Sequence, residues 1–136
     1  ALLDAIGRTI NKINNVQKYT SEEYRAEKVM FVIITDGKEN SSREYSAQKV
    51  KAMIERQKTQ YGWEFIFLGA DIDAVQSAGD FGISPDRAIQ YINDSEGTQL
   101  NYDAIAKAAA EFRKAGAFNE AYLDEIREDV KRRGRK

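Results

Sequence analysis

Residues 28–40 read KVMFVIITDGKEN. Apolar and β-branched residues run without a polar interruption up to Thr35, and then an acid and a glycine follow at once, Asp36 and Gly37. A run of that kind fits a strand covered on both faces, and strands covered on both faces are usually parallel. Asp36 is therefore expected just past the end of a buried strand.

The pattern on either side supports a parallel sheet. Upstream, Leu3, Ile6, Ile10, Ile13 and Val16 recur every three or four positions, which predicts one amphipathic helix over residues 2–16. Residues 17–27 are polar and aperiodic. Downstream, Ser41 or Ser42 can cap a helix, with Glu44 at capping-box spacing from Ser41 and an apolar stripe at Val50, Met53 and Ile54. That helix ends near Tyr61 and Gly62. A second buried run, WEFIFLGA (63–70), again stops at an acid, Asp71, followed by a short helix over 71–81 with Ile72, Val75 and Ala78 inward and Gly82 as terminator. AIQYI (88–92) is a third strand, and Tyr102, Ile105, Ala109 and Phe112 mark a further helix. Helix and strand alternate throughout, the signature of an α/β fold, a Rossmann-like parallel sheet flanked by helices. The single proline, Pro85, falls in a loop.

Residues 117–136 differ in character. Phe118, Leu123, Ile126 and Val130 form a thin apolar stripe on a terminal helix, and the last ten residues hold six basic and two acidic groups. This C-terminal helical basic tail is read as a solvated helix end, apart from the α/β domain over 1–116.

Composition restricts the chemistry. The chain of 136 residues carries a formal charge of −1, which argues against a dedicated nucleic-acid binder. It contains no histidine and no cysteine, so disulfides, thiolate nucleophiles, zinc–thiolate sites and the usual neutral-pH base are excluded. A metal held here must be held by oxygen, as Mg²⁺, Ca²⁺ or Mn²⁺ are. No apolar stretch is long enough to span a bilayer and no signal peptide is evident, which fits the cytoplasm. The chain starts at Ala1 already in helical pattern, so it is expected to be incomplete at the N-terminus.

In parallel sheets ligands bind at the carboxyl ends of the strands. Asp36 and Asp71 both belong to that rim. Asp71 also suits a helix cap, whereas Asp36 precedes a helix that already has serines available. Enzyme readings find little support: neither GxxxxGK[ST] nor GxGxxG occurs, and a histidine triad is impossible. A Mg²⁺-dependent phosphoryl-transfer or hydrolase fragment using Asp36 and Asp71 is the alternative.

VIITDGKENSS (32–42) resembles the third metal-site loop of von Willebrand factor A (vWA) domains, in which a strand ends in T-D-G before a polar loop and a helix. ALLDAIGRTI (1–10) is similar to the helix after the family's second metal-site loop, and EFIFLGADIDA (64–74) to the succeeding strand and helix of bacterial and phage members. The resemblance covers residues 1 to 112. It implies a six-stranded doubly wound sheet and a metal-ion-dependent adhesion site (MIDAS) where Mg²⁺ is held by a D-x-S-x-S loop, a threonine and the T-D-G aspartate, a partner's carboxylate completing the coordination. Asp36 would be a metal ligand, Thr35 would fix the strand end, Asn40 and Ser41 would shape the loop, and Asp71 would stand nearby.

The chain departs from that pattern. No D-x-S-x-S occurs, and the threonine's place lies before Ala1. Mg²⁺ needs near-octahedral oxygen coordination, so this chain alone is expected to bind none. The expected function is therefore a protein-interaction module and not an enzyme, with a protein partner and neither nucleic acid nor membrane. The exposed strand over 29–35 is expected to pair with a second copy, through its edge or through exchanged helices.

Overall fold

A computed structural model describes residues 2–26, 28–37 and 42–134. The two long apolar runs and the short third one form strands β1 (Met30–Thr35), β2 (Glu64–Gly69) and β3 (Ala88–Gln90). They lie side by side in that order, all parallel, with Met30 opposite Glu64 and Thr35 opposite Gly69. Helices α1 (Leu2–Tyr19), α2 (Ala47–Tyr61), α3 (Ile72–Ser77), α4 (Ser95–Ala115) and α5 (Asp124–Arg133) flank them. The protein is thus an α/β fold with a three-stranded parallel sheet between helical layers. No helix among the described residues is long and apolar enough to cross a membrane.

Successive strand residues face opposite ways, and this pleat divides the core in two. Phe31, Ile33, Phe65 and Phe67 meet Leu3, Ile6 and Ile10 of α1 and Val50 and Ile54 of α2. Phe31 packs on Phe65 with ring centres 5.3 Å apart, and Trp63 stacks on Phe65 at 6.0 Å. On the other face Ile66, Leu68 and Ile89 meet Ala104, Ala108 and Phe112 of α4 together with Leu123 and Ile126. Leu68 is wholly buried, so Leu68→Ala should cost about 2–5 kcal/mol.

Several helical expectations are corrected by long-range contacts. α2 starts at Ala47, with Ser46 as its cap accepting from the Lys49 N–H at 3.1 Å; Ser42 is used elsewhere and Ser41 lies outside the described residues. α1 runs on to Tyr19, beyond the 2–16 its apolar spacing marks. Ile72, expected inward, is half exposed, whereas Ala78 is buried as expected and Ala74 fills the interior beside it. Tyr102 likewise points outward at 61% exposure, because α4 turns Asn101, Ala104, Ala108 and Phe112 to the sheet. Small alanines let a helix approach a sheet closely, and the larger side chains remain on the outer face. Gly62, with φ of 67°, ends α2 as its position after Tyr61 suggests.

Among the described residues near the carboxyl end, Arg127, Lys131, Arg132 and Arg133 are paired within the fold. Arg133 donates to Asp129 and reaches Asp94, the cap of α4, at 2.6 Å. Asp129 is buried, and the guanidinium holds both carboxyls below the usual range. Phe118, Leu123 and Ile126 bury themselves in the same core as α4.

Gly7 of α1 shows how close the packing is. A Cβ at this position would fall within the Tyr45 ring, which is itself buried and fixed by a 2.8 Å hydrogen bond from the Asn11 amide to its hydroxyl. Gly7→Ala should therefore destabilise the protein by about 1–3 kcal/mol, although alanine is the better helix former, and urea denaturation would read the loss directly.

Candidate functional site

The parallel register brings the carboxyl ends of all three strands to one rim. Thr35 lies opposite Gly69, and Gly69 opposite Gln90, so Asp36, Ala70 and Tyr91 follow one another along it. The ladder extends one step past the strands, with the Ala70 N–H donating to Thr35 at 3.0 Å and the Tyr91 N–H to Gly69 at 2.9 Å. Thr35 secures the turn beyond β1: its hydroxyl donates to the Gly37 carbonyl at 2.9 Å and accepts from the Gly37 N–H at 3.3 Å.

Asp36 sits on this fixed turn as an exposed side chain. Among the described residues its carboxylate takes part in no hydrogen bond or ion pair. Its charge is felt by Tyr91, whose phenol is held above its ordinary range first by burial and then by Asp36 and Tyr102. Asp71 is engaged differently. It caps α3, accepting from the Asp73 N–H at 2.7 Å. Asn40 and Ser41, expected to shape the loop, lie outside the described residues. Beside Gly37 the rim opens into a hollow of about 210 Å³ with apolar walls from Leu2, Phe67 and Phe81.

The residue that anchors the loop after Asp36 is one the sequence does not single out. Asp4, in the first turn of α1, accepts from three successive backbone N–H groups: Arg43 at 3.0 Å, Glu44 at 3.0 Å and Tyr45 at 2.8 Å. The Ser42 hydroxyl accepts in return from the Asp4 N–H at 3.2 Å, one of the helix donors that no helical carbonyl can reach. The Arg43 N–H is the main cause of a lowered Asp4 pKa, and burial opposes it. A trace of this role is visible in the sequence: Asp4 interrupts the apolar side of α1 next to Leu3.

Among the described residues no three acids converge where a metal could be held. Among the described residues the Asp36 carboxylate makes no hydrogen bond or ion pair, and it supplies at most two oxygens where octahedral Mg²⁺ requires six. The donor set of the described residues does not by itself fit the ion.

Compared with protein-family models, curated proteins and solved structures, the chain matches none.

Two outcomes follow from this geometry. Asp36→Ala removes no hydrogen bond or ion pair among the described residues and should change stability by less than about 0.5 kcal/mol in urea denaturation. Asp4 has a lowered pKa in the folded protein, so its contribution is present above the unfolded pKa of about 3.9 and is lost as pH falls through the folded value. Asp4→Asn should thus be clearly less stable than the parent at about pH 6, and the gap should narrow towards about pH 2.5.

Proposed function

We propose that this chain is a protein-interaction module of the vWA type and not an enzyme, and that it associates through β1 with a second copy of itself. One observation carries this reading. Val29 and Thr35 direct their carbonyls to the β2 side, accepting from Glu64 and Ala70 at 3.0 Å each. By the two-residue period of a strand, Met30, Val32 and Ile34 then present their N–H and C=O groups to the opposite, unpaired edge.

The same three residues are the incompletely covered ones. Met30 and Val32 are half-buried beside the α4 core, and Ile34 is 43% exposed. β1 therefore offers a free hydrogen-bonding edge and an apolar face at the same place. Native proteins usually blunt such an edge with proline, a bulge or inward charge, and the strand Met30–Thr35 carries none of these. A two-fold dimer joining β1 to its copy must pair the strands antiparallel, because the axis reverses direction. The resulting sheet would have six strands and no open β1 edge.

Support for interaction over the phosphoryl-transfer or hydrolase reading comes from Asp71. It is the second acid that such chemistry would use, and here it is occupied with the backbone of α3. Asp36 remains a carboxylate on a rigid turn, able to serve as one oxygen donor of a site whose other donors come from outside the described residues.

Multi-angle light scattering across a concentration series tests the association. The chain should move from monomer to dimer, and Ile34→Lys, which puts a charge at the exposed end of the face, should weaken the dimer by more than about tenfold while leaving the circular dichroism unchanged. A monomer persisting to about millimolar concentration would refute it.

A further inference from the structure

We propose a second binding site at the amino edge of the sheet, opposite the Asp36 rim, for a small phosphate ester carrying a planar ring, a ligand of mononucleotide type. It does not rest on the reading of β1 given above. A cavity of about 600 Å³ opens there between the end of α1, the segment before β1 and the end of α2. Its size lies within the roughly 300–1,000 Å³ of small-molecule sites.

The charge lining this cavity is one-sided. Lys18, Arg25 and Arg56 contribute to its wall, and no acidic side chain does among the described residues. In a chain with 22 acids against 21 basic residues, three cations line one concave space with no acidic side chain beside them among the described residues, and like charges held together repel. An anion bound among them removes that repulsion. Neither the Arg56 side chain nor that of Asn15, which also lines the cavity, makes a hydrogen bond or ion pair among the described residues, so their donors are open to a ligand. The Lys18 ammonium lies over the Tyr19 ring at 5.5 Å and has no carboxylate partner among the described residues.

The walls are held by bonds that leave these donors in place. The Gln17 amide clamps the Ala26 backbone from both sides, donating to its carbonyl at 2.9 Å and accepting from its N–H at 3.2 Å. Arg25 is pinned through Nε to the Thr20 carbonyl at 2.8 Å and through a terminal nitrogen to the Lys18 carbonyl at 3.4 Å, which leaves the outer N–H groups of its guanidinium for a ligand. Planar forks of this kind suit phosphate oxygens. At the mouth, Tyr61 exposes over half of its surface and offers a ring for stacking. Cations for the phosphate, the Asn15 amide for a hydroxyl group and an aromatic face for the ring are thus collected in one cavity.

Titration calorimetry of the full chain with AMP, ribose 5-phosphate and adenosine tests this. AMP should bind saturably with a submillimolar Kd, ribose 5-phosphate about tenfold more weakly, and adenosine not measurably. Arg56→Ala should weaken AMP by at least about tenfold, and Tyr61→Ala should reduce AMP to the level of ribose 5-phosphate without changing the latter. Both positions are exposed, and circular dichroism would verify that both variants fold. The Ile34→Lys variant should bind AMP as the parent does, which separates this site from the association through β1. Absence of saturable AMP binding up to about 10 mM, equal binding by Arg56→Ala, or adenosine binding as tightly as AMP would each overturn the proposal.

Discussion

Among the described residues β1 is hydrogen-bonded along one edge only, to β2, and the proposed association depends on that constraint. Its odd-numbered residues carry Phe31 and Ile33 into a core built with α1 and α2, so the strand is held firmly from one side. Its even-numbered residues face the α4 layer, which lies mainly over β2 and β3 and covers Met30, Val32 and Ile34 in part. A strand with unpaired backbone groups and a half-dry face is a template for another strand. The fold is stable enough to keep it in place and leaves it unfinished.

At the upper end of the same strand, a second set of contacts fixes the rim. Thr35 closes the turn around Gly37, and Asp4 holds the backbone of residues 43–45 from across the sheet edge. Tyr45, brought in by that grip, occupies the space over Gly7 and ties the loop to α1 a second time. The consequence is a carboxylate, Asp36, presented outward from a braced support with its oxygens unengaged. Pre-positioning of this kind suits recognition, because little ordering remains to be done on binding. The opposite edge follows a related design: the Gln17 amide clamps the chain beside a cavity, and the Arg56 side chain in its wall makes no hydrogen bond or ion pair among the described residues.

Local patterns made the strands and the rim legible. The runs 29–35 and 63–70 are uninterrupted and apolar because both faces are covered, and each ends at an acid because the chain there turns into a loop at the sheet edge. That was enough to place Asp36 and Asp71 on the same side of a parallel sheet. The start of α2 was not legible, since the Ser42 hydroxyl answers to Asp4, 38 residues away, and no spacing within 41–47 reports such a bond. Nor was the inner face of α4: alanines and Asn101 form it, although Tyr102 and Ile105 give the stronger apolar signal. Asp4, Tyr91 and the cavity at the amino edge share the same difficulty. Each gains its role from partners on other elements, and composition within one segment says nothing of them.

Hydrogen exchange at individual amides tests the central constraint most directly. The N–H groups of Met30, Val32 and Ile34 should exchange rapidly in dilute solution and become protected as concentration rises, while those of Phe31 and Ile33, already bonded within the sheet, stay protected throughout. Rapid exchange of the three at every concentration, or full protection in a chain that is monomeric, would contradict an open edge closed by a second copy.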